Sequence, residues 1–195
     1  MPPREPRKLV VLISGMTGTG KSTLARRLAE HYGLRYFSGG DALKEIAVRV
    51  GYRPGGPGWW ETSEGLRFMK QRRGDPRFDR EVDEWLVERA MEGNAVIDSW
   101  TLPWLYDGGF KIWLSAPEDV RARRVSKRDG MSVEEALRII REKDEETKRI
   151  YREIYGFKLG EDLTPFHLIV DTEHLNQEEV FRVVRAVLDS YMRMK

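Results

Sequence analysis

Gly15-Met16-Thr17-Gly18-Thr19-Gly20-Lys21-Ser22 decides the fold of this chain. The octet meets every fixed position of the pattern G-x-x-x-x-G-K-[ST], and its flanks are those the pattern requires. Before it, Leu9-Val10-Val11-Leu12-Ile13 is a continuous apolar run rich in β-branched residues. Such a run predicts a strand over Lys8 to Ser14 buried on both faces, as in a parallel sheet. After it, Lys21 to Tyr32 has helical spacing, with Leu24, Ala25, Leu28 and Ala29 on one face and Gly33 as the stop. In that setting the glycines let the backbone turn its N–H groups inward, where a phosphate meets the positive end of the helix. Lys21 then reaches β- and γ-oxygens, and the Ser22 hydroxyl serves as a Mg²⁺ ligand. Gly15, Met16, Thr17, Gly18, Thr19, Gly20, Lys21, Ser22 and Thr23 are therefore the expected contacts of a nucleoside triphosphate, ATP with Mg²⁺.

Outward from the loop, strands and helices alternate. Leu34 to Phe37 reads as a second strand and Asp41 to Val50 as a second helix. Gly51 to Gly65, rich in Gly and Pro and carrying Trp59 and Trp60, reads as a loop or irregular lobe. Asp79 to Met91 is predicted helical, and Ala95-Val96-Ile97 is a third strand ending at Asp98. Lys111 to Ser115 is a fourth strand, with Pro117 at a first helical position. Ser132 and Glu135 form a capping box for a long helix to Tyr155. Leu168-Ile169-Val170 is a fifth strand, and Asn176 with Glu179 caps the last helix. This order predicts an α/β fold: a P-loop NTPase three-layer domain over residues 1–195 with a five-stranded parallel sheet. Ligands of such sheets lie at the carboxyl ends of the strands, where Ser14, Ser38, Asp98 and Ser115 fall. Asp98, ending an apolar strand, is the expected carboxylate partner of Ser22 at Mg²⁺.

Composition narrows the chemistry further. The chain has no cysteine and three scattered histidines, which argues against disulfides, a cysteine nucleophile and a structural zinc site. The net charge of +2 makes no electrostatic case for nucleic acid. No apolar run approaches the roughly 20 residues of a membrane helix, and the stretch behind the basic N-terminus is too short for a signal peptide. A cytoplasmic protein without membrane or nucleic-acid partners, monomeric or homodimeric, is the expectation.

From Phe37 onward the chain resembles the small archaeal-type cytidylate kinases of the nucleoside monophosphate kinase group. The resemblance is carried by Lys111-Ile112-Trp113-Leu114-Ser115-Ala116-Pro117, Arg121 to Gly130, Met131 to Ala136 and Glu153-Ile154-Tyr155-Gly156. Ser38-Gly39-Gly40-Asp41 is similar to the family's acceptor-binding turn. Asp75-Pro76 with Asp79 and Asp83 is similar to its segment before the third strand. The resemblance implies transfer of the ATP γ-phosphoryl group to CMP or dCMP. It also implies an acceptor-binding lobe at about residues 38–92 and a lid at about 121–150, a mobile helical flap closing over ATP. Lys21, Asp98, Arg124, Arg128 and Arg149 become the catalytic set, and Lys127 a further candidate charge stabiliser. Ser38, Gly39, Asp41, Lys44 and Trp100 become the acceptor-binding set.

Three positions depart from the family's pattern. An arginine expected after the third strand is Trp100, and arginines expected at two helical positions are Lys44 and Lys143. Lysine neutralises phosphate but lacks the bidentate fork. Trp59, Trp60, Trp100 and Trp104 gather in the same segments, either as core or as a base-stacking surface. Arg67, Arg72 and Arg73 stand open as replacements for the lost grip or as surface charges. Two other functions stay in view: an alcohol acceptor with Asp98 as general base, and a nucleotide-binding regulatory protein with little turnover.

Overall fold

The computed structural model describes residues 9–55, 59, 63–73 and 75–194, with Leu66, Met69 and Arg73 placed by backbone alone. The basic N-terminus and Trp60 lie outside the described residues. The sheet holds β1 (Val10–Gly15), β2 (Arg35–Ser38), β3 (Ala95–Asp98), β4 (Phe110–Ser115) and β5 (Leu168–Asp171). Its order is β2-β3-β1-β4-β5, every pairing parallel. The loop-bearing strand is therefore central. Ile13 pairs with Asp98 on one side and Ile112 on the other. β1 runs two residues past that rung, so its loop begins above the end of β3.

The apolar run explains this position. Val11, Leu12 and Ile13 are fully buried, which only a strand covered on both faces allows. Val11 and Ile13 meet α1 (Lys21–Tyr32) through Leu24 and Leu28, and α8 (Gln177–Met194) through Val184 and Leu188. Val10 and Leu12 face the opposite layer: α2 (Gly39–Arg49), α3 (Ser63–Arg73), α4 (Arg77–Glu92) and the single turn α5 (Leu102–Leu105). Burying each such side chain contributes about 1.5–3 kcal/mol, enough to fix the strand in mid-sheet.

α6 (Glu118–Asp129) and α7 (Val133–Tyr155) form a helical hairpin with a small core of Ala122, Val125, Ala136 and Ile140. Ser132 caps α7 by accepting the Glu135 N–H at 3.1 Å. At α8, Asn176 Oδ1 accepts the Glu179 N–H at 3.0 Å while Glu179 Oε2 accepts the Asn176 N–H at 2.7 Å, a complete capping box.

The expected loop at Gly51 to Gly65 is overrun by α3, which begins at Ser63. Its sequence is polar and interrupted by Gly65, so helical periodicity is faint, yet Phe68 is fully buried and anchors it in the lobe core. Pro117 precedes α6 as its N-cap instead of opening it, with ψ of 150° in place of a helical value. Among the described residues no helix is long and apolar enough to cross a membrane.

Candidate active site

Three glycines shape the loop. Gly15, Gly18 and Gly20 have φ of +151°, +83° and +96°, values that a side chain strains. A Cβ on Gly15 would collide with the Leu114 carbonyl oxygen, and one on Gly18 would stand 3.0 Å from the Arg121 carbonyl oxygen. A Cβ on Gly20 would meet nothing within 4 Å, so only its backbone conformation calls for glycine.

Lys21 Nζ donates to the Met16 carbonyl at 3.1 Å and stands 5.7 Å from the centroid of the Trp100 ring. Burial lowers its pKa, against the pull of Asp98 and Asp144. No carboxylate forms an ion pair with it among the described residues, so its charge stays available to a polyanion. The Ser22 hydroxyl donates to Asp98 Oδ2 in a short hydrogen bond. Burial raises the Asp98 pKa, opposed by Lys21 and by the Ser22 hydrogen bond. Hard oxygen donors meeting beside a lysine suit a small divalent cation bound together with phosphate oxygens. Among the described residues no cluster of three or more His, Asp or Glu forms a self-sufficient metal cage.

The hairpin grips the loop tip. Asp144 Oδ1 accepts the Thr17 N–H at 3.3 Å, and Asp144 Oδ2 accepts from Arg121 Nη1 at 2.6 Å. The same nitrogen donates to the Thr17 carbonyl at 2.9 Å. Both side chains are less than one-tenth exposed. Asp144 was not singled out in the sequence, although a signal exists: it falls on the buried stripe Ala136, Ile140, Asp144, Thr147, Tyr151 of α7. An acid at a core position needs a partner.

Beside the loop is a cavity of about 550 Å³, lined by Gly18 to Leu24 and closed by Trp100, Arg124, Arg128, Thr172 and Leu175. Arg124 donates to Thr172 Oγ1 at 2.8 Å and to the Thr172 carbonyl, so it braces the cavity wall where the sequence placed it over the phosphates. Arg128 is at the rim, held by Asp129 at 2.6 Å. Lys127 is exposed on the same helix. Arg149 is not brought to the cavity: it is exposed on α7 and pairs with Glu153 at 3.2 Å. Lys143 is also exposed.

On the acceptor side, Ser38 and Asp41 serve the start of α2. Ser38 Oγ accepts the Asp41 N–H at 3.2 Å and donates to Asp41 Oδ2 at 2.7 Å. Gly39 opens that helix 3.9 Å (from its would-be Cβ) from Val82, and Lys44 is half-buried one turn on. The tryptophans divide. Trp59 is buried in the lobe core, its Nε1 donating to Glu64 at 2.9 Å. Trp104 stacks on Phe157 with centroids 4.5 Å apart. Trp100 alone of these lines the cavity. Behind it Tyr151 presents an edge at 6.5 Å, and beyond lie the Arg72–Asp79 pair and buried Asp83. Asp83 accepts from Thr101 and, at 2.7 Å, from Tyr155. Burial pushes its pKa up to about 6.

Loop, central strand and flanking layers together define a P-loop kinase. The chain belongs to the cytidylate kinase-like family, whose profile matches residues 10–174. It is 38% identical to a cytidylate kinase of Pyrococcus horikoshii, covering 93% of this chain and 89% of that protein. It is 35% identical to a cytidylate kinase of Methanopyrus kandleri, covering 93% of both. Among solved structures, a shikimate kinase from Bacteroides thetaiotaomicron superposes with a TM-score of 0.59 at 18% identity, covering 95% and 99% of the two chains. An uncharacterized protein from Eubacterium ventriosum gives 0.68 at 15% identity, covering 94% and 99%. At such identities these two report the fold.

Proposed function

We propose that this kinase transfers the γ-phosphoryl group of ATP to the phosphate of CMP or dCMP, giving ADP and the nucleoside diphosphate. The family membership along nearly the whole chain carries this reading. The Lys21, Ser22 and Asp98 constellation supports it chemically.

ATP binds with its phosphates in the loop and its base toward the wall of Arg124, Thr172 and Leu175. Backbone N–H groups of the loop and Lys21 offset charge on the β- and γ-oxygens, and Lys21 gains most as charge shifts toward the leaving ADP. Ser22 and Asp98 are the residues that would hold Mg²⁺, directly or through water, and the ion would supply neutralisation of phosphate charge there. The α6–α7 hairpin, seated on Thr17, excludes water from the transfer. No general base is needed, because an acceptor phosphate is already anionic at neutral pH.

A coupled assay of ADP release tests the proposal against CMP, dCMP, UMP, AMP and cytidine. Highest kcat/KM with CMP or dCMP is expected. Release with cytidine but not CMP would replace it by the alcohol-acceptor reading, which Trp100 favours by standing where a phosphate-gripping cation was expected. Tight ATP binding with no release for any acceptor would indicate a regulatory protein.

A further inference from the structure

An acceptor phosphate approaching the γ-phosphoryl group brings two polyanions together, so a cation must meet it from the side away from the loop. β3 offers none: Asp98 is followed by Ser99 and Trp100, and the indole of Trp100 lies against Lys21. Three arginines of the hairpin are committed elsewhere. Arg121 holds Thr17 and Asp144, Arg124 holds Thr172, and Arg149 pairs with Glu153 in solvent.

Arg72 lies outside the hairpin, on α3. Its side chain is 19% exposed, and Nη2 donates to the buried carboxylate of Asp79 at 2.6 Å. Its Nε is buried and has no hydrogen-bond acceptor. Among the described residues only one other guanidinium nitrogen, Arg121 Nε, is in that state. A buried charged donor left without an acceptor is costly and marks a place where a ligand oxygen would be welcome. The guanidinium also lies within electrostatic reach of Tyr151 and Glu146 of α7. Tyr151 in turn presents an edge to Trp100 at 6.5 Å, and the Trp100 ring stands 5.7 Å from Lys21 Nζ, so the surroundings of Arg72 connect to the loop through these two rings.

We propose that Arg72 is the acceptor-phosphate cation of this enzyme, its guanidinium oriented by Asp79 and its unpartnered Nε–H donating to a phosphate oxygen of the nucleoside monophosphate. The assignment rests on the reading of CMP as acceptor. It places the specificity for a phosphorylated acceptor on α3, an element with no obvious motif, and makes Asp79 a positioning residue. A planar fork restrained on one side by a carboxylate is pre-organised to receive a second oxyanion on another.

The test compares the full-length wild type with Arg72→Gln, Arg72→Lys and Asp79→Asn in steady-state ADP release, varying CMP and ATP separately, with thermal melts as a control on folding. Wild-type turnover with CMP comes first: its absence removes the CMP reading and the Arg72 assignment with it. Given that turnover, R72Q is expected to raise the KM for CMP roughly 10- to 100-fold, the span of a charge-assisted hydrogen bond. The KM for ATP should stay within about twofold, as for a group that never touches the donor. D79N keeps the guanidinium and should raise the KM for CMP less than about fivefold. Equal losses in R72Q and D79N would show an ion pair that merely joins α3 to α4, and would overturn the proposal. So would an unchanged KM for CMP in R72Q. If R72Q does not fold, R72K decides: a raised KM for CMP with that for ATP unmoved supports the assignment, and no change in either refutes it.

Discussion

Asp144 holds Arg121 at 2.6 Å from 23 residues away, and the pair closes on the backbone of Thr17 at the tip of the phosphate loop. Hairpin and loop thus share one buried ion pair. Removing one member leaves the other charged and desolvated, at a cost of about 3–5 kcal/mol. Asp144→Ala should lower stability by that order in chemical denaturation. It should also weaken ATP binding about tenfold in calorimetry, because the loop loses its fixed tip.

Lys21 contributes charge where it develops. Lys21→Ala should reduce kcat on the order of 10²–10³-fold, as expected for loss of a pre-organised transition-state contact. Full activity in that variant would overturn the reading of the loop.

Asp98 separates two chemistries. If it acts through Mg²⁺, Asp98→Asn should shift the Mg²⁺ concentration needed for half-maximal activity upward about tenfold while activity returns at high Mg²⁺. If it is a base for a hydroxyl, the loss should be insensitive to Mg²⁺. A Mg²⁺ titration of initial rates distinguishes them.

Asp83 makes stability depend on pH. In the unfolded chain it ionises near 3.8, whereas burial raises its folded value to about 6. Between those values the folded state holds the extra proton, so this group's contribution is fully present below pH 3.8 and is lost as pH rises through 6. The loss is on the order of 2–3 kcal/mol. Asp83→Asn cannot ionise, so its melting temperature relative to wild type should be higher at pH 7.5 than at pH 4.5. An equal gap at both pH values would refute this.

The periodic elements were legible because each is set by local spacing. The run at Leu9 to Ile13, the stripe of α1, and the caps at Ser132 and Asn176 lead to the observed strand and helices within a residue or two. α3 was not legible: Phe68 is its fully buried apolar anchor, and Gly65 obscures the period. Arg124 and Arg149 illustrate the limit for charged side chains. Both sit on amphipathic helices, yet Arg124 lines the cavity while bonded to Thr172 and Arg149 pairs with Glu153 in solvent, and no spacing rule foretells which acceptor a long side chain finds.

By itself the sequence determined the phosphate loop, the strand before it, the helix after it, and the identities of Lys21, Ser22 and Asp98. These follow from backbone sterics and burial acting over a few residues. Only the tertiary structure decided that Asp144 seats the hairpin on Thr17, that Trp100 lies against Lys21, and that Arg72 is buried with an unpaired donor. Each of those depends on elements far apart in the chain meeting at one place. Desolvation and the geometry of that meeting, rather than any local preference, set what the side chains do.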